Sequence, residues 1–243
     1  MPDALYAHPR LAEIYDAVDS DRSDLDVYLA LVEELGSKSV LDIGCGTGSF
    51  ACLLAARGLD VVGVDPALAS LDVARRKPDA DRVRWVHADA TALPDVEVDL
   101  ATMTGNVAQV FLDDHEWAVA LAGANNALGP GGRLVFETRN PTRRGWEEWT
   151  RDLTYRRLEI RGVGVVEVWV DLTDVALPFV SFRHTYIFEA DGATLTSEST
   201  LRFRDRTEVD LALAAAGFGL LEVRDAPDRP GKEFVFIAQK PGV

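Results

Sequence analysis

A chain of 243 residues that is 47% apolar and 27% charged can bury a domain-sized core, which excludes wholesale disorder and fibrous repeats. With 25 Lys and Arg against 40 Asp and Glu, the formal charge of −15 repels nucleic-acid backbones at long range and favours small or neutral partners. Cys45 and Cys52 are too few for a disulfide framework or a four-ligand zinc site, Met1 to Tyr15 hold no basic stretch followed by an apolar run, and no apolar run approaches about 18 residues. The expectation is a cytoplasmic, metal-independent protein that neither binds nucleic acid nor enters a membrane.

Residues 1–40 are acidic and contain no strand-like run. Ser23 followed by Asp26 has capping-box spacing, and Leu25, Tyr28, Leu29, Val32 and Leu35 recur at helical intervals until Gly36. Short apolar runs then alternate with amphipathic stretches. The runs are Ser39 to Ile43, Val61 to Val64, Val83 to His87, Leu100 to Thr104 and Arg133 to Thr138; between them lie Phe50 to Arg57, Leu68 to Arg76 and Glu116 to Leu128. Strands separated by helices of crossover length predict a doubly wound α/β sheet with parallel pairing.

Beyond Asn140 the apolar period switches to two. Val166, Val168, Val170 and Leu172 share one face of a strand, and Val180, Phe182, His184, Tyr186 and Phe188 share one face of the next. Asp191-Gly192 predicts a two-residue hairpin turn leading to a partner strand over 193–204. Thr207 with Asp210 predicts the start of an alanine-rich helix, and Leu220 to Arg224 and Phe234 to Gln239 read as two last strands. The predicted organisation is an α/β domain formed by 1–141 and 207–243, interrupted by an antiparallel β insertion over 142–206.

The most informative segment is Val40-Leu41-Asp42-Ile43-Gly44-Cys45-Gly46-Thr47-Gly48, a strand running into a glycine-rich turn that opens a helix. Glycines at alternate positions permit a sharp turn and close approach of a ligand to backbone N–H groups. Asp65 ends the next strand, 21 residues past Gly44, where a carboxylate can accept both hydroxyls of a ribose. Cys45 lies in this loop as a small residue with no histidine near it in sequence, which argues against a nucleophile.

Two ligand classes share this geometry. A dinucleotide site typically has its third glycine five residues after the first, whereas here it comes after four. The spacing G-x-G-x-G preceded by Asp42 resembles motif I of the class I S-adenosylmethionine-dependent methyltransferases. The likeness extends to Asp65-Pro66, to Asp89-Ala90, to the fourth-strand segment Asp99 to Phe111, to Gly129-Pro130-Gly131-Gly132 and to the terminal strand pair. This resemblance implies a seven-stranded Rossmann-like sheet, S-adenosylmethionine as cofactor and S-adenosylhomocysteine as product. Gly44, Cys45, Gly46 and Gly48 would then border the methionine part, Asp42 its ammonium, Asp65 and Pro66 the ribose, and Asp89 and Ala90 the adenine. Thr104, Gly105 and Asn106 would lie beside the transferable methyl. The competing readings are a non-catalytic protein that binds these ligands and an NAD-dependent oxidoreductase.

The insertion resembles the lid of small-molecule methyltransferases such as the amino-sugar N-methyltransferases, which implies a small-molecule acceptor of the methyl on N or O. Trp146, Trp149, Trp169 and Tyr186 are candidates for the pocket wall, with Gln109 after strand four and Arg139 after strand five. A base is needed only for an acceptor that arrives protonated, and His184, Glu137 and Tyr15 are the candidates. Seven arginines fall between residues 139 and 161, a pattern explained by an anionic substrate or by a salt-bridged face. The exposed antiparallel sheet also offers a surface for a homodimer.

Overall fold

The computed structural model describes residues 1–227 and 229–242. Two short helices, α1 (Ala4–Ala7) and α2 (Pro9–Val18), open the chain. Pro9 takes the first helical position, where a missing N–H is harmless. The apolar spacing noted above becomes α3 (Asp24–Glu34), but Ser23 does not cap it: Ser23 already has helical backbone angles, and its N–H donates to Asp21 at 3.1 Å.

The alternating region gives β1 (Ser39–Ile43), α4 (Ser49–Ala56), β2 (Asp60–Asp65), α5 (Leu68–Ala74), β3 (Val83–His87), β4 (Val98–Met103), α6 (Asp114–Ala127) and β5 (Leu128–Arg139). After α7 (Arg151–Thr154) come four antiparallel strands, β6 (Arg156–Ile160), β7 (Gly164–Ala176), β8 (Phe179–Phe188) and β9 (Ala193–Arg202). The chain then rejoins the first layer through α8 (Arg206–Ala215), β10 (Gly219–Asp225) and β11 (Glu233–Gln239).

The main sheet has the order β10-β11-β5-β4-β1-β2-β3, and the second sheet the order β6-β7-β8-β9. Strands β1 to β5 pair in parallel, and β11 enters antiparallel between β5 and β10. Helices cover both faces, so neighbouring residues of one strand serve different cores: Val40 packs with Leu25, Phe50 and Leu54, while Leu41 and Ile43 pack with Trp117, Phe136 and Leu213. The order reverses between β1 and β4, which opens a crevice at their carboxyl ends.

A third core, in which Leu11, Ile14 and Val18 meet Val166, Val168, Tyr186 and Phe188, fastens the N-terminal helices to the second sheet. Two expected turns differ in detail. Phe188 pairs with Ala193, so the β8–β9 loop has four residues; Gly192 alone takes a positive φ and donates to Phe188 O, while Asp191 accepts from Ala193 N–H. The cap of α8 is Asp205 rather than Thr207, because Asp205 and Glu208 form a reciprocal capping box two residues earlier. No helix among the described residues is long and apolar enough to cross a membrane.

Candidate functional site

The loop between β1 and α4 folds over the end of β2: the N–H groups of Gly44 and Cys45 both donate to Val64 O, at 2.8 and 3.0 Å. Gly44, Gly46 and Gly48 all take positive φ. A Cβ on Gly44 would sit 2.6 Å from Val107, and one on Gly48 would sit 2.4 Å from Trp85 and 2.7 Å from Ala74. At Gly46 an added Cβ would meet nothing. The loop is thus fixed by packing on two sides and open at its middle.

Asp65 braces this loop. Its Oδ2 accepts from Gly46 N–H at 2.8 Å and its Oδ1 from Ala67 N–H at 2.7 Å, although burial pushes its carboxyl above the usual range. Each oxygen keeps a lone pair for a further donor. Asp42, 1% exposed, lies on the strand leading into the loop; Oδ1 accepts from the Thr102 hydroxyl at 2.9 Å, and Oδ2 is buried without a partner. Burial, with Asp65 adding to it, pushes this carboxyl up to about 7. A carboxylate in this position is short of a cation. Burial also raises the Cys45 thiol well above its ordinary value, so it is not a thiolate nucleophile.

Asp89 is exposed just after β3, with Oδ1 accepting from Thr91 N–H at 2.8 Å, and Ala90 is half-buried beside it. Pro66 O lies 3.0 Å from His87 Nε2, linking the ends of β2 and β3. Thr104 is half-buried and Gly105 exposed, while Asn106 is buried at φ +62°. Two carboxylates hold Asn106: Glu137 accepts from its backbone N–H, and Glu233 accepts from its Nδ2 at 3.2 Å. The other Glu137 oxygen accepts from Tyr28 at 2.5 Å. Burial pushes Glu137 up to about 7, but with both oxygens engaged and 2% exposure it braces the Asn106 turn and is not available as a base.

The N-terminal helices and one face of the second sheet bring several of the remaining candidates together. Tyr6 and Tyr15 have ring centroids 5.7 Å apart, and His184 lies between Phe182 at 5.4 Å and Tyr186 at 6.1 Å. Burial and the nearby Arg156 lower the His184 imidazole to about 4, so it is a neutral ring near pH 7, and its Nδ1 is buried without a partner. Tyr15 and Tyr186 are both raised, chiefly by burial, and keep their phenolic protons. Trp149 packs on Phe182 at 4.6 Å.

Two expected wall residues lie elsewhere. Trp146 is 1% exposed and packs edge-on against Phe203 in a closed aromatic cluster, because its short 3₁₀ turn folds back under β9. Trp169 pairs with Thr185, not with His184 or Tyr186, and so points to the opposite face, where it donates to Asp171 and lies under Arg151. Gln109 is buried, its Oε1 accepting from Arg139 N–H and Nη1 at 3.3 and 3.1 Å. Arg139 does not pair with Glu137; its Nε lies 3.8 Å from Glu233.

One part of the site has no signature in the sequence. Asp16 of α2 accepts from the Thr47 and Ser49 hydroxyls at 2.7 and 3.2 Å and pairs with Lys77 at 2.5 Å. Tyr6 O accepts from Ser70, while Ser197 and Asp3 tie the first residues to β9. The N-terminal segment therefore bridges the glycine loop and the second sheet, contacts made by short polar side chains that no spacing rule selects.

The strand order and the second antiparallel sheet give the chain the Rossmann-like fold seen in S-adenosylmethionine-dependent methyltransferases, and residues 40–132 match the family model described as a methyltransferase domain. Among curated proteins, the chain is 39% identical over 109 residues to a demethylmenaquinone methyltransferase of Thermus thermophilus, which is 43% of this chain and 49% of that protein. A cypemycin N-terminal methyltransferase of a Streptomyces species is 33% identical over 133 residues, or 53% of this chain and 54% of that protein. The chain thus spans about half the length of these relatives. Among solved structures, the sugar N-methyltransferase KedS8 from a Streptoalloteichus species superposes with a TM-score of 0.78 at 22% identity, covering 94% of this chain and 93% of that one.

Proposed function

We propose that the protein transfers a methyl group from S-adenosylmethionine to an N or O atom of a small molecule. The observation that carries this reading is the orphaned Asp42 Oδ2, a buried carboxylate oxygen beside a glycine loop, which suits the ammonium of a methionine moiety. Asp65 would add the ribose hydroxyls to its two backbone donors, Asp89 and Ala90 would meet the adenine, and the turn held by Glu137 would set the position of Thr104 to Asn106 beside the methyl. The matching of residues 40–132 to a methyltransferase domain and the sugar N-methyltransferase likeness support the same reading.

When bound, the cofactor's sulfonium supplies an electrophilic methyl and a good leaving group, which leaves alignment and exclusion of water to the protein. The N-terminal helices, packed on the second sheet, would exclude water. His184 Nδ1, neutral and unpartnered, would accept an N–H or O–H of the acceptor, and Tyr15 and Tyr186 would donate. The first test is release of S-adenosylhomocysteine from labelled S-adenosylmethionine across small amines, phenols and acids; no product from any class, in protein that binds both cofactor forms, would favour a binding role.

Asp42→Asn tests the cofactor end with opposite effects on stability and binding. Because the folded carboxyl titrates near 7 and an unfolded one near its ordinary acidic value, Asp42 stabilises the fold fully below about pH 4 and loses that contribution as pH rises through 7. At pH 8 the ligand-free variant is expected to be more stable than wild type by about 1–3 kcal/mol, with the gap closing toward pH 5. Its affinity for S-adenosylmethionine is expected to fall at least about tenfold. Chemical unfolding at the two pH values and calorimetric titration check both.

A further inference from the structure

The seven arginines between residues 139 and 161 are not equivalent. Arg144 pairs with Glu147 and Arg157 with Glu189, both at 2.7 Å on the surface. Arg143 and Arg156 donate to the carbonyls of Gly231 and Val18, Arg151 lies over Trp169, and Arg161 is exposed. These six are taken up by carboxylates, carbonyls, an aromatic ring or solvent, as charge runs usually are. Arg139 stands apart, at the carboxyl end of β5 beside the Asn106 turn.

Its guanidinium is held from three sides. Gln109 Oε1 takes both its backbone N–H and Nη1, the Trp149 ring lies 5.5 Å below it, and Glu233 stands 3.8 Å from Nε, beyond hydrogen-bond length. No hydrogen bond reaches Nη2 among the described residues, and 28% of the side chain is accessible. The charge is poorly offset. Glu233 is closer to Arg229, at 2.9 Å, and is shared with the Asn106 amide. Glu137 is engaged by Tyr28 and Asn106, and its raised carboxyl is partly protonated at pH 7. Asp3, the acid that faces Tyr6, is bonded to Ser199. Arg139 also lies within electrostatic reach of the Tyr6 phenol.

A fork-shaped cation with one free edge, fixed in orientation, hydrogen-bonded only by a neutral amide and sharing its carboxylate neighbour Glu233 with Arg229, is a receptor for a planar oxyanion. We infer that Arg139 anchors a carboxylate of the methyl acceptor, so that the substrate of this enzyme is an amino or hydroxy acid rather than a neutral or cationic molecule. A single guanidinium matches a monoanion; a phosphate dianion would leave one charge unbalanced in a site of low dielectric. The inference rests on the methyltransferase reading and deepens it.

The test uses the full chain saturated with S-adenosylhomocysteine and follows thermal unfolding with 4-aminobenzoate, salicylate and β-alanine, each beside its neutral amide. The acids are expected to raise the midpoint and the amides not. In Arg139→Gln the acid affinity is expected to fall about 10- to 100-fold, the worth of a charge-assisted pair, with partial recovery in Arg139→Lys. Gln109→Glu, which keeps the arginine but neutralises it, should lose the acids as well. Retained stabilisation by S-adenosylhomocysteine shows that a variant is folded. Equal response to acids and amides, an unchanged acid response in Arg139→Gln, or no response to any acid while S-adenosylhomocysteine still stabilises the protein would overturn the inference and leave the methyltransferase reading standing. Absence of the S-adenosylhomocysteine response would instead strike that reading itself.

Discussion

Asp65→Ala is expected to weaken S-adenosylhomocysteine binding at least about a hundredfold while leaving a folded protein. The carboxylate serves two sets of donors. From the protein it takes the N–H groups of Gly46 and Ala67, so it joins the glycine loop to the start of α5; from the ligand it would take two ribose hydroxyls. Two charge-assisted hydrogen bonds to a ligand, each contributing about 1.5–3 kcal/mol, account for the affinity lost. The fold loses less than the two orphaned N–H groups suggest, because removing a carboxylate whose burial already raises its pKa relieves a desolvation cost. Asp65→Asn separates the roles: its amide keeps one backbone acceptor but sets an NH₂ against the other donor, so binding should still fall. Calorimetric titration with circular dichroism as the fold control measures this, and unchanged affinity in a folded Asp65→Ala protein would remove the ribose role.

The largest stability effect is expected at Gly48. Alanine there meets two obstacles: a left-handed backbone, costing about 1–2 kcal/mol, and a Cβ placed 2.4 Å from Trp85 and 2.7 Å from Ala74. Neither neighbour yields cheaply, since Trp85 is itself held by a hydrogen bond to Ala80 O and Ala74 sits on a packed helix. Overpacking of this kind costs about 1–3 kcal/mol more, so Gly48→Ala should lose about 2–5 kcal/mol in urea unfolding. Gly46→Ala is the matched control: the same handedness, no clash, and an expected loss of about 1–2 kcal/mol. Equal losses in the two variants would mean that the Trp85 contact does not constrain the loop.

The main sheet is legible because most of its strands carry an apolar run and because α4, α5 and α6 show as amphipathic crossovers between them, while Asp42, the glycine triplet and Asp65 keep fixed spacing. The same reasoning read the period-two pattern of β7 and β8 correctly, which placed His184 and Tyr186 on one face. It failed where chemistry depends on contacts distant in sequence. Trp169 falls out of phase with His184 by one residue of pairing, and a phase between strands cannot be read from either strand alone. Trp146 is lost to the core through a 3₁₀ turn that has no periodicity. Strand β6 carries no readable run, since only Leu158 and Ile160 are apolar among its charged residues. Asp205 outcompeted Thr207 because its partner Glu208 completes a capping box. The Asp16 contacts and the Tyr28–Glu137–Asn106 chain join residues 31 to 109 positions apart, beyond any local signal.

The central claim is that the glycine loop and its aspartates hold S-adenosylmethionine. Thermal unfolding of the full chain with S-adenosylmethionine, S-adenosylhomocysteine or NAD, each at about 100 times a micromolar Kd, tests it most directly, since such occupancy adds about 2.7 kcal/mol of stability. A rise in midpoint of several degrees with the first two ligands and none with NAD is the expected result. A rise with NAD alone, or none with any of the three in protein that unfolds cooperatively, would contradict the claim.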